Sequence, residues 1–356
     1  MNVRKKRSTR AATLADVGKA AGVSAMAVSA ALNETRTSAR ISPETKAKIL
    51  RAAEQLGYRP NVAARALVKR RMNTIGVSVL WDNDELNNYF VEIFTGIIEA
   101  ATRYGQNATV FTFHNWAEEM ERVASVCDGR IDGMILVAPI FSREKAAILP
   151  HHTPFVALHA NAEIEGVVNI ESDEERGAQE MVESLISLGH RRIMHISGGR
   201  GLVGAERRIA GYRKALTGAH LRYDPSLLVE ANFAASDGCR AMLDWLSRNE
   251  KKRLPDAIFC ANDAIAMGCL EALASKGVKV PDDVSVCGFD DTIAARTTVP
   301  QLSTVRQPLR NMGSRAVDIL MKRIDAMHGK AADIPDSPVV FDTTVVLRGS
   351  ISKVAR

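Results

Sequence analysis

The chain has 356 residues, 46% of them hydrophobic, and carries a formal charge of +6, enough length for a substantial core and more than one domain. No apolar run reaches membrane-spanning length, and the basic start lacks the apolar stretch and cleavage site of a signal peptide, so no membrane partner and a cytoplasmic location are expected.

Residues 1–12 read as a basic flexible arm containing Arg4, Lys5, Lys6, Arg7 and Arg10. Next come two short helices joined at a glycine turn. Thr13 can accept from the free N–H groups of the first turn, with Asp16 at N3 like the acid of a capping box. Leu14, Val17, Ala20 and Ala21 form one apolar stripe, and Gly22 ends the helix by taking positive φ. Ser24 caps a second helix whose Val28 and Leu32 share a face, leaving Ala25, Met26, Ser29 and Ala30 outward. A third helix has Ile41 as staple, Ser42 as cap, Pro43 at N1, an apolar set of Ile49, Ala53 and Leu56, and Gly57 as its stop.

Three capped helices over 13–58 predict an all-α helix-turn-helix that grips duplex DNA. Charge supports this independently. Residues 1–72 hold 16 Lys or Arg against 4 Asp or Glu, a balance of +12 that leaves −6 for the other 284. Positive charge gathered on the small domain is what counterion release from phosphates requires. A disordered basic tail with a small helical cap accounts for residues 1–12 but not for the three helices.

Residues 59–72 read as a hinge, with a stop at Pro60, a cap at Asn61 and one short helix. So short a helix is not stable alone in water, so its folding needs DNA or a second copy. Ala64 and Leu67 lie one turn apart on its apolar face, while Arg65, Lys69, Arg70 and Arg71 offer phosphate contacts. A leucine on a minor-groove helix can wedge between base pairs and kink the duplex. The alternative is an ordinary interdomain linker.

From residue 73 to 350, β-rich runs alternate with helical ones, which argues for parallel sheets covered by helices on both faces. Strands are expected at Thr74–Leu80, Ala108–Phe113, Gly133–Val137, Phe155–Leu158, Ile193–Ser197, Ala257–Cys260 and Val284–Gly288. Helices are expected at Phe90–Tyr104, Glu174–Leu188, Ala205–Leu216, Asp237–Leu246, Ala264–Ser275 and Leu309–Ile324. This is material for two Rossmann-like α/β lobes with a cleft beyond the strand ends. The N-lobe is assigned 73–171 plus 304–334, the C-lobe 172–303 plus 335–350, and a tail 351–356. Cys127, Cys239, Cys260, Cys269 and Cys287 are scattered in apolar runs, which favours buried free thiols over disulfides or a metal site; no cofactor is expected.

Taken together, several motifs make the chain resemble the LacI family, the lactose and purine repressor type of bacterial regulator, over nearly its whole length. They are Leu14-Ala-Asp-Val-Gly-Lys-Ala-Ala-Gly-Val-Ser24, Leu56-Gly-Tyr-Arg-Pro-Asn61, Asn262-Asp263, Val284-Ser-Val-Cys-Gly-Phe-Asp-Asp291 and Pro300-Gln-Leu-Ser-Thr-Val-Arg-Gln-Pro308. The resemblance implies a homodimer, or a larger assembly, on a near-palindromic double-stranded operator. It implies a two-lobed domain like periplasmic sugar-binding proteins, in which a small molecule changes the lobe angle and so relieves or enhances repression. It also implies DNA contacts at Thr13, Ser24, Ala25, Met26, Ser29, Ala30, Asn33, Arg59, Asn61, Ala64, Arg65 and Leu67, with Leu67 intercalating beside its two-fold mate. This chain departs from the family at Ala27, usually threonine, and Ala30, usually arginine. Ala25 and Met26 occupy sequence-reading positions yet can only touch a thymine methyl. Strong salt dependence and a modest preference for operator over other DNA follow as expectations.

For the effector, the resemblance points to Asp290, Asn262 and Phe233. Glu206 stands where a ligand arginine is usual, with Arg207 adjacent, and His159 where an acid is frequent; Trp81 and Tyr89 come near the cleft mouth. Asp290 and Asn262 also read as strand-end caps, and Phe233 as core. Aromatic faces with Asp, Asn and Glu suit a neutral polyhydroxy ligand, so a carbohydrate is the first expectation. A nucleoside or amine-bearing metabolite is the second, and a phosphorylated ligand needs Arg207 or His159 turned inward. No matched catalytic set accompanies Asp290-Asp291, and the glycines of 197–204 fit no phosphate-loop spacing, so catalysis is not expected. A cytosolic or exported sugar-binding protein would explain the lobes but not the basic helices.

Overall fold

The computed structural model describes residues 10–33, 41–59, 71–81, 87–116, 118–140, 147–249 and 253–354. The chain divides into two units, Met1–Met72 and Asn73–Arg356.

In the first unit α1 spans Leu14–Ala21, α2 Ala25–Asn33 and α3 Pro43–Gln55. Each start is set by a short polar side chain. Thr13 and Asp16 exchange both bonds of a capping box, Ser24 Oγ accepts from the Ala27 N–H at 3.2 Å, and Ser42 Oγ accepts from the Thr45 N–H at 3.1 Å. Gly22 turns the chain between α1 and α2 at φ 71°. Val17, Val28, Ala31, Ile49, Ala52 and Ala53 form the core.

The helix phases differ from expectation at three places. Gly18, not Ala20, completes the buried face of α1, because a Cβ at 18 would lie 2.7 Å from the Val23 carbonyl oxygen; Ala20 faces solvent. Ala52 takes the core place given to Leu56, which is 43% exposed as α3 ends. Ala30 is buried, at 6% exposure, rather than outward, because α2 packs against both other helices and its buried arc is wide. The arm residues Arg4–Arg7 and the hinge residues Pro60, Asn61, Ala64, Arg65 and Leu67 lie outside the described residues.

The second unit holds two six-stranded sheets. The strands of the first are β1 Thr74–Leu80, β2 Asn107–Phe113, β3 Gly133–Val137, β4 Phe155–Leu158, β5 Val168–Ser172 and β11 Val339–Phe341, in the order β11-β5-β4-β3-β1-β2, all parallel. The second contains β6 Ile193–Ser197, β7 Leu228–Glu230, β8 Ala257–Cys260, β9 Ser285–Asp290, β10 Ser303–Arg306 and β12 Thr344–Val346, ordered β12-β10-β9-β8-β6-β7, with only β12 antiparallel. The central strands are buried on both faces, as near-continuous apolar runs such as Gly133–Val137 require.

Helices cover both sheets: α4 Asn88–Arg103 and α11 Leu309–Met327 on the first, α6 Glu174–Ser187, α7 Val203–Gly218, α8 Ala235–Arg248 and α9 Asp263–Ser275 on the second, with short α5 Met120–Val126 and α10 Ile293–Thr297. Helices α4 and α11 cross at two glycines: a Cβ on Gly96 would sit 2.0 Å from the Arg310 carbonyl oxygen, and one on Gly313 2.3 Å from that of Ile93.

The chain passes between the sheets three times, after Ser172, after Arg306 and after Phe341. The last passage differs from the expected boundary at 335, because Val339–Phe341 pairs with β5 of the first sheet before β12 joins the second. Of the expected tail 351–356, residues 351–354 are tied to the second lobe, since Ile351 packs in its core and the Val354 N–H donates to the Leu188 carbonyl at 3.0 Å. All five cysteines are free thiols; four are buried and Cys239 is half-buried.

Candidate functional site

On α2 the outward surface is small and apolar. Ala25 is exposed, Met26 is 76% exposed, and Ala27 and Ser29 are half-buried. Ser24 is exposed and engaged as the cap, and Thr13 is exposed with its hydroxyl donating to Asp16 at 2.7 Å. Asp16 is held down at about 2, chiefly by that bond and the Thr13 N–H, with Arg10 adding to it. Arg59 is exposed, and Asn33 ends α2. Ala30 belongs to the core, so whatever an arginine there does in relatives has no outward counterpart in this chain.

The second unit brings side chains from the strand ends of both sheets together. Tyr89 comes from the first turn of α4, His159 follows β4 in a left-handed backbone at φ 50°, Ser172 ends β5, Gln307 follows β10, and Asp290 ends β9 at φ 117°. Such conformations cost energy outside glycine and are held by their surroundings. The five make a continuous chain. The Tyr89 hydroxyl lies 2.5 Å from His159 Nδ1, His159 Nε2 lies 3.5 Å from Ser172 Oγ, the Ser172 hydroxyl donates to Gln307 Oε1, and Gln307 Nε2 donates to Asp290 Oδ1 at 2.6 Å. Donor directions agree along it when His159 carries its proton on Nε2. Burial holds His159 below the ordinary imidazole value against the pull of Glu174, and burial likewise raises the Tyr89 phenol. Burial lifts the Asp290 carboxyl to about 8, with Arg208 opposing.

Beside Asp290 lies the residue that sequence reasoning missed. Arg208 is only 6% exposed, with its guanidinium 4.2 Å over the Phe289 ring centroid and 5.7 Å from that of Phe233. Its Nη1 donates to the Ala261 carbonyl at 2.6 Å and its Nη2 to Glu174 Oε1 at 2.7 Å. Its Nε–H is buried and has no partner among the described residues. Glu206, expected to stand in the arginine's place, instead faces solvent and accepts from the Gly201 N–H at 3.3 Å. Helix phase decides this: Ala205, Arg208, Ile209 and Tyr212 share the buried face of α7. An arginine on that apolar spacing was the available signal. Arg207, next to Glu206, holds Glu171 through two bonds of 3.1 Å and approaches Glu174 at 3.8 Å.

Asn262 uses both ends of its amide: Oδ1 caps α9 by accepting from the Ile265 N–H at 2.8 Å, and Nδ2 donates to the Phe233 carbonyl at 3.1 Å. Phe233 is half-buried with its ring packed over Gly198, where any Cβ would meet it at 2.2 Å. Two asparagines not singled out from the sequence bridge the lobes. Asn87 Nδ2 donates to the Phe233 carbonyl at 3.1 Å; Asn161 accepts from the Val203 N–H at 2.7 Å and donates to the Gly201 carbonyl at 3.2 Å. Trp81 does not join this group. Its backbone N–H donates to the Phe113 carbonyl at 2.7 Å, and its side chain lines a groove of about 520 Å³ with Phe94, Ile98 and Val110, between α4 and the edge strand β2.

No described helix is long and apolar enough to cross a membrane. Residues 13–61 match the family described as bacterial regulatory proteins, lacI family, and residues 182–351 match the periplasmic binding protein-like domain. The HTH-type transcriptional repressor PurR of Vibrio parahaemolyticus is 31% identical over 338 residues, covering 94% of this chain and 98% of that protein. Among solved structures, the lac repressor dimer bound to operator and the anti-inducer ONPF shares 26% identity with a TM-score of 0.80, covering 96% of this chain and 100% of that one. The transcriptional regulator CelR–cellobiose complex shares 29% identity with a TM-score of 0.69, covering 95% and 99%.

Proposed function

The chain belongs to the lacI family of bacterial regulatory proteins, and from that footing we propose that it is a transcriptional repressor acting in the cytoplasm whose effector is a carbohydrate held between the two lobes. It is a DNA-binding regulator and not an enzyme. The observation that carries the effector reading is the floor of the cleft, where Arg208, Asp290, Gln307 and Asn262 crowd donors and acceptors beside the Phe233 ring. A sugar hydroxyl both donates and accepts, and its C–H face packs on an aromatic ring. A relative of similar fold is solved with cellobiose, which favours the same class. Tyr89, His159 and Arg207 complete the proposed effector site; Trp81 and Glu206 are left out of it. Calorimetry against sugars, nucleosides and sugar phosphates tests this, and a nucleoside or amine as the sole binder overturns it.

The operator reading assigns DNA contacts to Thr13, Ser24, Ala25, Met26, Ser29, Asn33 and Arg59 of the headpiece and to Asn61, Ala64, Arg65 and Leu67 of the hinge. The acting form is a homodimer. The exposed apolar side chains Val91, Ile98, Tyr104 and Val110 around the α4–β2 groove support a second copy covering that face. Selection of bound duplexes from a random library, with and without sugar, reads half-site spacing and the sign of the effector's action. Binding only as a monomer to single half-sites refutes the dimer.

A further inference from the structure

The charged groups of the cleft cancel. Glu174, 3% exposed, binds Arg208 at 2.7 Å and lies 3.8 Å from Arg207; Glu171 binds Arg207 at 3.1 Å. Two guanidinium groups thus meet two carboxylates, and Asp290, lifted to about 8, is mostly uncharged at neutral pH. Glu174 stands at the centre of this arrangement, since its charge is felt by His159, Tyr89 and Asp290 alike. Its carboxylate also fills the space over Gly204, where a Cβ would lie 2.8 Å from Oε1. Of the Arg208 nitrogens Nε alone has no partner among the described residues, so it keeps a buried N–H donor available, with the charge already neutralised.

We propose that Glu174 sets the charge class of the effector: by neutralising Arg208 it makes the cleft accept an uncharged ligand and reject phosphorylated or carboxylate-bearing ones. This rests on the cleft being the effector site. An anionic ligand entering here meets no spare positive charge and must approach Glu174, Glu171 or both in a setting where water screens little. A neutral ligand loses nothing by that arrangement and can take the Arg208 Nε–H as a directed donor. Glu174 is on this account a specificity-determining residue that acts through Arg208.

The test uses inorganic sulfate as the anionic probe on the full-length protein, read by calorimetry and by melting temperature of the larger unit. The wild type is expected to show no saturable response. Glu174→Gln keeps the shape, releases the Arg208 charge, and is expected to bind sulfate at least about tenfold more tightly than any residual wild-type binding. Glu174→Asp, whose shorter side chain cannot reach Nη2 as closely, is expected to gain less in the same direction and serves if the first variant folds poorly. Adding Arg208→Gln to Glu174→Gln is expected to abolish the gain. Saturable sulfate binding by the wild type that Arg208→Gln removes overturns the proposal. So does a folded Glu174→Gln without gain, or a gain that survives loss of Arg208. A protein that obeys this rule yet binds no sugar sinks the carbohydrate reading alone. One that binds a sugar and also takes sulfate through wild-type Arg208 sinks the charge rule alone.

Discussion

Ile49→Ala is expected to unfold the headpiece and leave the larger unit intact. Ile49 is fully buried, and three of the five other core residues are alanines, so it supplies a large share of the apolar volume there. Ile→Ala removes three carbon groups, about 2.4 kcal/mol of transfer free energy at ~0.8 kcal/mol each, and the cavity raises the cost to roughly 3–4 kcal/mol. At roughly 0.05–0.15 kcal/mol per residue, a headpiece of this length has about 2–7 kcal/mol in all. The loss is thus comparable to the whole stability of the domain. The units have separate hydrophobic cores, which leaves the second without a share in the damage. Calorimetric melting should lose its headpiece transition while the larger one stays within a degree or two, duplex binding should disappear, and sugar binding should persist. Ile49→Val should cost only about 0.5–1.5 kcal/mol and keep DNA binding. A single transition that shifts as a whole, or an alanine variant still holding operator at wild-type affinity, refutes this reasoning.

Asp16 is held at about 2, so its capping contribution is complete above its ordinary value near 3.8 and is lost as pH falls toward 2; circular dichroism should show headpiece helix melting in that window, with Asp16→Asn removing the pH dependence. The Asp290 shift has the opposite sign. Its fold prefers the protonated acid, so the stability of the larger unit should fall as pH rises from about 4 to about 8, and Asp290→Asn should flatten that part of the melting profile; an unchanged slope contradicts the burial argument. Met26, 76% exposed, can be cut to alanine without touching the headpiece core; melting should hold while affinity for the selected operator drops and affinity for scrambled duplex does not, and an equal drop on both assigns it no reading role. Across ~50 to ~200 mM salt both duplexes should weaken steeply, and a shallow slope argues against the basic arm and hinge as the main grip.

What the sequence made legible follows from how strongly each element depends on its own residues. Strands such as Gly133–Val137 and Phe155–Leu158 are apolar on both faces and bounded by polar turns, so their positions could be read almost to the residue. Val168–Ser172 escaped because Asn169, Glu171 and Ser172 break the apolar run, their side chains being bound within the fold: Asn169 by the Ala160 N–H and Glu171, Glu171 by Arg207, and Ser172 by Gln307. Leu228–Glu230, Ser303–Arg306, Val339–Phe341 and Thr344–Val346 have only three or four residues, and their pairing is decided by neighbouring strands. In the cleft, Asp290 and Asn262 were visible as strand-end residues, whereas Arg208 depended on the starting angle of α7. Two residues earlier, about 200° around the helix, Glu206 falls on the opposite, exposed side.

The three passages of chain between the lobes also govern the order in which the protein can be made. The headpiece is one continuous stretch and is complete before the larger unit has begun to emerge during synthesis. The first lobe is not finished by its first hundred residues: it waits for the helix Leu309–Met327 and the strand Val339–Phe341, near the far end of the chain. A message broken near codon 300 therefore yields a polypeptide with a finished DNA-reading head and neither lobe complete. Such a fragment has lost α11, against which α4 packs, and with it the core of the first lobe, leaving it for proteolysis.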